Sequence, residues 1–132
     1  MSNNLPIVDD YMTRTLIQFS PDENIHAAAK TLLDKRISGA PVVDKDGELV
    51  GVLSKKDCLQ VVYNASYHKD WGGRVDEYMS RKVHTIDSRT DIITVADLFV
   101  ESNFRRFPVM ENGRMIGQIS RQDILRALYE IE

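Results

Sequence analysis

Two stretches of this chain carry residues that could do chemistry. Gly51-Val52-Leu53-Ser54-Lys55-Lys56-Asp57 and Gly117-Gln118-Ile119-Ser120-Arg121-Gln122-Asp123 set a glycine, a serine and an aspartate at one shared spacing. A serine at a strand end with an acid three residues on is close to a capping box, which starts a helix and stabilises it by roughly 1 kcal/mol. The same atoms suit a ligand. A helix N-terminus attracts anions, a serine hydroxyl adds a donor, and an ionised carboxylate accepts from both hydroxyls of a ribose. Together they fit a nucleoside phosphate, where a hydrogen bond to a charged group contributes on the order of 1.5–3 kcal/mol. The cap does not account for the glycine; a strand glycine marks close approach of a ligand or of another backbone.

Other chemistry is sparse. His26, His68 and His84 are the only histidines, and none stands at a metal-pair spacing with another or with the single cysteine, Cys58. His26 reads as an exposed residue of an early helical turn, and His84 lies on an extended segment where contact with a base and packing are equally open. There is no phosphate-binding P-loop and no dinucleotide fingerprint. Asp57 and Asp123 read as duplicated cap positions rather than a catalytic pair. No catalytic residue, metal site or required cofactor is expected, and the chain reads as non-enzymatic.

The two stretches belong to a larger repeat. Val8-Asp9-Asp10-Tyr11-Met12 returns 67 positions later as Val75-Asp76-Glu77-Tyr78-Met79, and Pro41-Val42 returns as Pro108-Val109. The offset falls to 66 within a turn, where Asp44-Lys45-Asp46-Gly47 is matched by Glu111-Asn112-Gly113. Gly51, Ser54, Asp57 and Leu59 then return as Gly117, Ser120, Asp123 and Leu125. Two copies are too few for a solenoid, which needs at least about three stacked repeats. They describe a duplicated half-domain: a first copy over 5–63, a linker over 64–74 and a second copy over 75–131.

Each copy reads as strand, helix, hairpin, helix. Ile25, Ala28, Ala29, Leu32 and Leu33 form one apolar helical face, repeated by Ile92, Val95, Ala96, Phe99 and Val100. Ser20, Pro21 and Glu23 supply a capping box for the first of these helices, and Asp87 or Ser88 the cap of the second. Ala40-Pro41-Val42-Val43 and Phe107-Pro108-Val109-Met110 are extended, with the proline at a strand start or edge. Asp46-Gly47 and Asn112-Gly113 suit tight hairpin turns, and the returning strands are Glu48 to Leu53 and Arg114 to Ile119. Closing helices carry Cys58, Leu59, Val62 and Tyr63, matched by Ile124, Leu125, Leu128 and Tyr129, so Cys58 reads as a buried structural thiol. Tyr67 and Trp71 stand four apart in the linker and suit a shared face.

Composition bounds the partners. A chain of 132 residues with 42% hydrophobic and 28% charged residues fits one globular domain. A net charge of -3 gives no general attraction to nucleic acid or to anionic lipid, so an anion has to be met by a local basic cluster. Arg105-Arg106, just before Pro108, is such a cluster. No apolar run reaches the roughly 18 residues of a membrane span, and the first residues lack the pattern of a secretory signal. A cytoplasmic location is expected.

With these residues in place, the chain resembles a tandem CBS pair, or Bateman module, over roughly residues 5 to 131. The resemblance is carried by Asp9-Asp10-Tyr11-Met12 and Asp76-Glu77-Tyr78-Met79, the two proline segments and the two Gly-x-x-Ser-x-x-Asp stretches. It implies an α+β fold of two βαββα units packed about a pseudo-twofold axis through their sheets, with two clefts between them. It also implies a non-catalytic regulatory module that senses AMP, ADP, ATP or S-adenosylmethionine and acts on a separate target protein, commonly as a homodimer. The alternative is a ligand-independent dimerisation or interaction scaffold with degenerate clefts.

Carried over residue by residue, the resemblance implies one site of Ser54 and Asp57 with Arg105, Arg106 and Phe107. The other joins Ser120 and Asp123 with Ser38, Gly39 and Ala40, and segments around Leu16-Ile17 and Val83-His84 contact the base. Lys55 and Lys56 beside the arginine pair make the first site the better one for ADP or ATP, or at least AMP. The second, with Arg121 alone, suits weak binding or a less anionic ligand such as S-adenosylmethionine.

Overall fold

The computed structural model describes residues 5–14, 17–68 and 72–131. The face expected for Tyr67 and Trp71, and the segment at Leu16, fall outside what is described. The elements in chain order are α1 (Ile25–Asp34), β1 (Gly39–Val43), β2 (Leu49–Ser54), α2 (Lys55–His68), α3 (Val75–Tyr78), β3 (Ile86–Asp87), α4 (Ile92–Glu101), β4 (Arg106–Glu111), β5 (Arg114–Ser120) and α5 (Arg121–Glu130). A 3-10 turn at Val8–Asp10 precedes them, in the repeat position of α3.

The repeat pattern places the helices correctly but not their starts. Asn24 caps α1 by accepting from the N–H groups of His26 and Ala27, and Asp91, 67 positions on, caps α4 by accepting from Thr94. Ser20 and Glu23 instead close a turn one step earlier, where the Ser20 N–H donates to the Glu23 carboxylate at 3.2 Å. Asp87 accepts from the N–H of Arg89, and Ser88 is buried with its hydroxyl donating to Glu111 at 2.9 Å. Both expected caps are therefore corrected: a polar side chain nearer each apolar run reaches the free N–H groups first.

The hairpins form as read. Gly47 (φ 83°), Asn112 (φ 52°) and Gly113 (φ 78°) take the left-handed conformations that the β1–β2 and β4–β5 turns require. In register, Gly39 faces Ser54 and Pro41 faces Val52 in the first hairpin, while Arg106 faces Ser120 and Pro108 faces Gln118 in the second. β3 adds to β4 in parallel, and Phe19 makes the matching parallel bridge to Val42.

Two compact units result. The central unit is Ile17–Val83; the terminal unit combines the N-terminal residues, up to position 14 among those described, with the chain from His84 onward. Each unit has its own core. Phe19, Ile25, Leu32, Val42, Leu53 and Val75 pack in the central unit; Val8, Ile92, Val95, Phe107, Val109 and Ile119 pack in the terminal one. Each core includes the leading segment of the other repeat, Val75 in the central unit and Val8 in the terminal one. The Ile25 N–H donates to Gly73 and the Ile92 N–H to Pro6, the same bond 67 residues apart.

The exchanged segments explain the glycines. Ser80 exchanges two backbone hydrogen bonds of 2.9 Å with Val52, and Thr13 does the same with Gln118 at 2.8 and 2.9 Å. A Cβ on Gly51 would lie 2.8 Å from the Ser80 carbonyl and 2.6 Å from the Met79 sulfur. One on Gly117 would lie 2.8 Å from both the Thr13 carbonyl and the Met12 sulfur. Close approach of a backbone, not of a ligand, is what these glycines permit. Gly117→Ala is expected to cost about 1–3 kcal/mol, as overpacking against fixed backbone does. Urea unfolding measures it, and an unchanged midpoint would contradict the account.

Candidate functional site

The Ser–Asp stretches are capping boxes in both units. Ser54 donates both its N–H (3.0 Å) and its hydroxyl (2.9 Å) to Asp57 Oδ2, while its Oγ accepts from the Asp57 N–H at 3.1 Å. In the terminal unit the Ser120 N–H donates to Asp123 Oδ2 at 2.9 Å and Ser120 Oγ accepts from the Asp123 N–H at 3.2 Å. A further bond fixes each helix start. The Lys55 N–H donates to the Ser38 carbonyl at 2.8 Å, and the Arg121 N–H to the Arg105 carbonyl at 3.1 Å. Two N–H groups at each helix start are thus already used, which leaves fewer donors there for phosphate than a bare helix terminus would offer.

The carboxylates keep a second oxygen. Asp57 is half-buried, and its Oδ1 takes no hydrogen bond among the described residues. Asp123 is only 8% exposed, and its Oδ1 lies 3.6 Å from an Arg126 nitrogen. Gln60 stands at the repeat position of Arg126. Arg126 also donates to the Tyr11 carbonyl at 3.4 Å and sits over the Tyr11 ring. This ion pair, unread in the sequence, separates the two acids: Asp123 is already matched to a cation, and Asp57 has no such partner among the described residues.

The prolines act through the parallel ladders. The Phe19 N–H donates to the Pro41 carbonyl and the Val43 N–H to the Phe19 carbonyl, so the next bond would run from residue 41 to the carbonyl of Ile17. Proline has no N–H, and the ladder stops. The register of β3 on β4, with Ser88 donating to Met110, puts Pro108 in the same relation to the carbonyl of His84. In each unit the proline therefore leaves one carbonyl, of Ile17 or of His84, that the ladder cannot use. Both prolines sit inside their strands rather than at an end, each turned toward this interrupted side.

In the central unit Ser54 and Asp57 are thus neighbours of Ser38, Gly39 and Ala40, beside Ile17. In the terminal unit Ser120 and Asp123 are neighbours of Arg105, Arg106 and Phe107, beside His84. The two pre-proline segments differ sharply. Gly39 is buried, and a Cβ there would lie 3.0 Å from the Leu53 carbonyl. Its counterpart Arg106 is half-buried; burial first, and the charge of Arg105 second, hold its guanidinium below the usual arginine range. A half-buried guanidinium beside a second, exposed one favours a nearby anion.

An aromatic cluster flanks the arginines. His84 stacks parallel on Phe104 with ring centroids 5.6 Å apart, and both tilt against buried Phe107. The central unit holds Ile17, Ile37 and Ala40 at these positions. Phe104 was not among the sequence candidates, although an aromatic residue directly before a basic pair was a usable signal. The remaining motif cations lie elsewhere. Lys55 and Lys56 line an apolar groove on the α1–α2 face, and Arg121 lines the equivalent α4–α5 groove while donating to the carbonyls of Phe104 (2.8 Å) and Ser102 (3.4 Å).

Cys58 is buried as expected. Burial first, and the charge of Asp57 second, push its thiol up to about 11. Because the thiolate is the reactive form, Cys58 is expected to resist a disulfide reagent at pH 7–8 in the folded protein and to react fully once urea unfolds it. Fast reaction in the native state would contradict this placement. His26 is half-buried rather than exposed. Among the described residues there is no cluster of three or more potential metal ligands, and no helix is long and apolar enough to cross a membrane.

Two α+β halves, each a helix, a hairpin and a capped closing helix with the other's leading segment laid across its sheet, define a duplicated module. The chain belongs to the CBS domain family, whose profile matches residues 8–64 and 75–130. It is similar to CBSX2 from Arabidopsis thaliana, solved in complex with AMP, at 30% identity and a TM-score of 0.81 over 95% of this chain and 97% of that one. It is similar also to the CBS domain pair of protein MJ0100, solved with 5-methylthioadenosine and S-adenosyl-L-methionine, at 25% identity and a TM-score of 0.77, covering 97% and 99%. Protein MJ1225 of Methanocaldococcus jannaschii is 27% identical over 92% of this chain, which spans 42% of that protein's length.

Proposed function

We propose that the chain is a non-catalytic regulatory module that binds an adenosine compound and passes its occupancy to a separate protein. The observation that carries this reading is the arginine pair before Pro108, with Arg106 half-buried and Arg105 exposed, beside an aromatic cluster and a carbonyl that the proline withholds from the ladder. Such a setting offers cations to phosphate, a flat surface to a base and an acceptor to an exocyclic amine. Similar CBS proteins solved with AMP, 5-methylthioadenosine and S-adenosyl-L-methionine support an adenosine ligand. The better site joins Asp57 and Ser54 to Arg105, Arg106 and Phe107, with Asp57 Oδ1 accepting from the ribose. The weaker site joins Ser120 and Asp123 to Ser38, Gly39 and Ala40, and Ile17 and His84 border the two bases. Arg105 and Arg106 supply the phosphate contacts without Lys55, Lys56 or Arg121, which favours AMP or ADP in the better site. Proposed likewise are a homodimer, a cytoplasmic location, and no role for nucleic acid.

Titration calorimetry with AMP, ADP and ATP tests this. Asp57→Ala and Arg106→Ala are expected to abolish the tighter binding, while Asp123→Ala leaves it. A ligand that binds only the folded state raises the thermal midpoint, by about 2.7 kcal/mol of stabilisation at a hundred times its Kd. If Asp57→Ala lowers stability and leaves affinity unchanged, capping accounts for that residue and the site assignment fails.

Releasing Asp123 should act in the opposite direction. Arg126→Gln gives the second copy the residue of the first and is expected to tighten the weaker site severalfold. Unchanged affinity there would show that the ion pair does not limit it.

A further inference from the structure

The two pre-proline segments leave their helices by different routes. In the central unit the chain wraps back on α1. The N–H groups of Lys35, Arg36 and Ile37 donate to the carbonyls of Thr31, Leu33 and Leu32 at 3.0, 3.2 and 3.1 Å, and Arg36 takes a left-handed turn (φ 56°). Bonds of that kind close a helix with its own backbone. In the terminal unit α4 stops at Glu101, and Ser102 is already extended (φ -131°, ψ 173°). Residues 102–105 then run to β4 beside the start of α5, where one side chain meets them.

That side chain is Arg121. Its Nε donates to the Phe104 carbonyl at 2.8 Å, and a terminal nitrogen donates to the Ser102 carbonyl at 3.4 Å. Its backbone N–H donates to the Arg105 carbonyl at 3.1 Å, one step past the pairing of Arg106 with Ser120. Of the four residues that join α4 to β4, three thus give their carbonyls to a single residue. A guanidinium suits this task because its donors form a rigid planar fork. Lys55 stands at the repeat position and keeps the backbone bond, to Ser38. Its ammonium is a point charge without a fork, and the segment beside it is closed by its own backbone instead.

The segment that Arg121 holds carries Arg105 and Arg106. Adjacent guanidiniums repel, and Arg106 is half-buried, so without an anion the pair favours a segment that swings away. Bonds from Arg121 to the carbonyls oppose that movement. A segment already in place loses less freedom when a ligand arrives, which raises affinity without any new contact.

We propose that Arg121 is a positioning residue: it does not touch the ligand but fixes residues 102–105 so that Arg105 and Arg106 are presented to a phosphate. This role rests on the phosphate contact proposed above and specifies what holds that contact in place. The terminal segment then depends on one side chain, and its central counterpart does not.

Arg121→Lys separates the fork from the charge. Titration calorimetry with AMP is expected to show binding about tenfold weaker in Arg121→Lys and in Arg121→Ala alike. Wild-type affinity in Arg121→Ala overturns the proposal, and so does wild-type affinity in Arg121→Lys, because charge alone would then suffice.

Amide hydrogen exchange reads the segment without ligand. The N–H at position 121 donates to the Arg105 carbonyl, and its protection is expected to fall severalfold in both variants while the amides of buried Val109 and Ile119 keep theirs. Weaker AMP binding with unchanged protection at position 121 would mean that Arg121 meets the ligand itself, which overturns positioning. A loss of protection spread equally over Val109 and Ile119 would mean global destabilisation and overturns it too. A wild-type chain that binds none of AMP, ADP, ATP and S-adenosylmethionine overturns the phosphate contact, and this role with it, whatever the exchange shows.

Discussion

The backbone approach across Gly51 and Gly117 is the constraint on which the rest of the structure depends. In each unit the returning strand of a hairpin pairs on one side with its own partner strand and on the other with the leading segment of the opposite repeat. That second pairing brings a carbonyl and a methionine sulfur to within 2.6–2.8 Å of where a Cβ would stand. Neither repeat completes its core from its own residues alone. Val8 and Val75, both fully buried, are the points at which each repeat enters the other's core. The duplication is therefore a mutual requirement between two copies of one fold, with the Tyr-Met segments as the exchanged parts.

Once the strands are fixed in this way, the chemistry at their ends follows from register. Gly39 opposite Ser54, and Arg106 opposite Ser120, put each pre-proline segment next to a helix cap. The cap satisfies the helix start from within, and this moves the proposed burden of phosphate contact from the helix terminus to Arg105 and Arg106. It leaves a different task for the carboxylates, each of which caps through one oxygen and presents the other. Arg126 then separates the two acids. Small local differences on a shared frame thus give the two caps unequal surroundings, which suits a module proposed to read a ligand rather than transform it.

Much of the frame was legible in the residues. The repeat, the hairpin turns and the order of elements follow from apolar periodicity and from Asn and Gly at left-handed positions. The helix starts were not. Ser20-Pro21-Asp22-Glu23 satisfies the pattern of a cap, but Asn24 lies closer to Ile25 and its side chain reaches two N–H groups. Nor does periodicity fix how far a helix rotates on its core. Leu33, Leu59, Val100 and Leu125 satisfy an apolar stripe and still face outward, because the stripe is wider than the contact beneath it. Polar residues were legible wherever the repeat marks them, as at the two Ser–Asp caps. Those that break it through long-range contacts, Arg121 on the carbonyls of Ser102 and Phe104 and Arg126 on Asp123, needed the tertiary structure.

The central claim is that the arginine pair before Pro108 holds the phosphate of an adenosine compound. Mass spectrometry of small molecules released from freshly purified protein, with Arg106→Ala purified in parallel, tests it most directly. The account predicts an adenosine-containing species from the wild-type chain that is lost in the variant. An equal yield from both, or none from the wild-type chain even after incubation with AMP, ADP, ATP and S-adenosylmethionine, would contradict it.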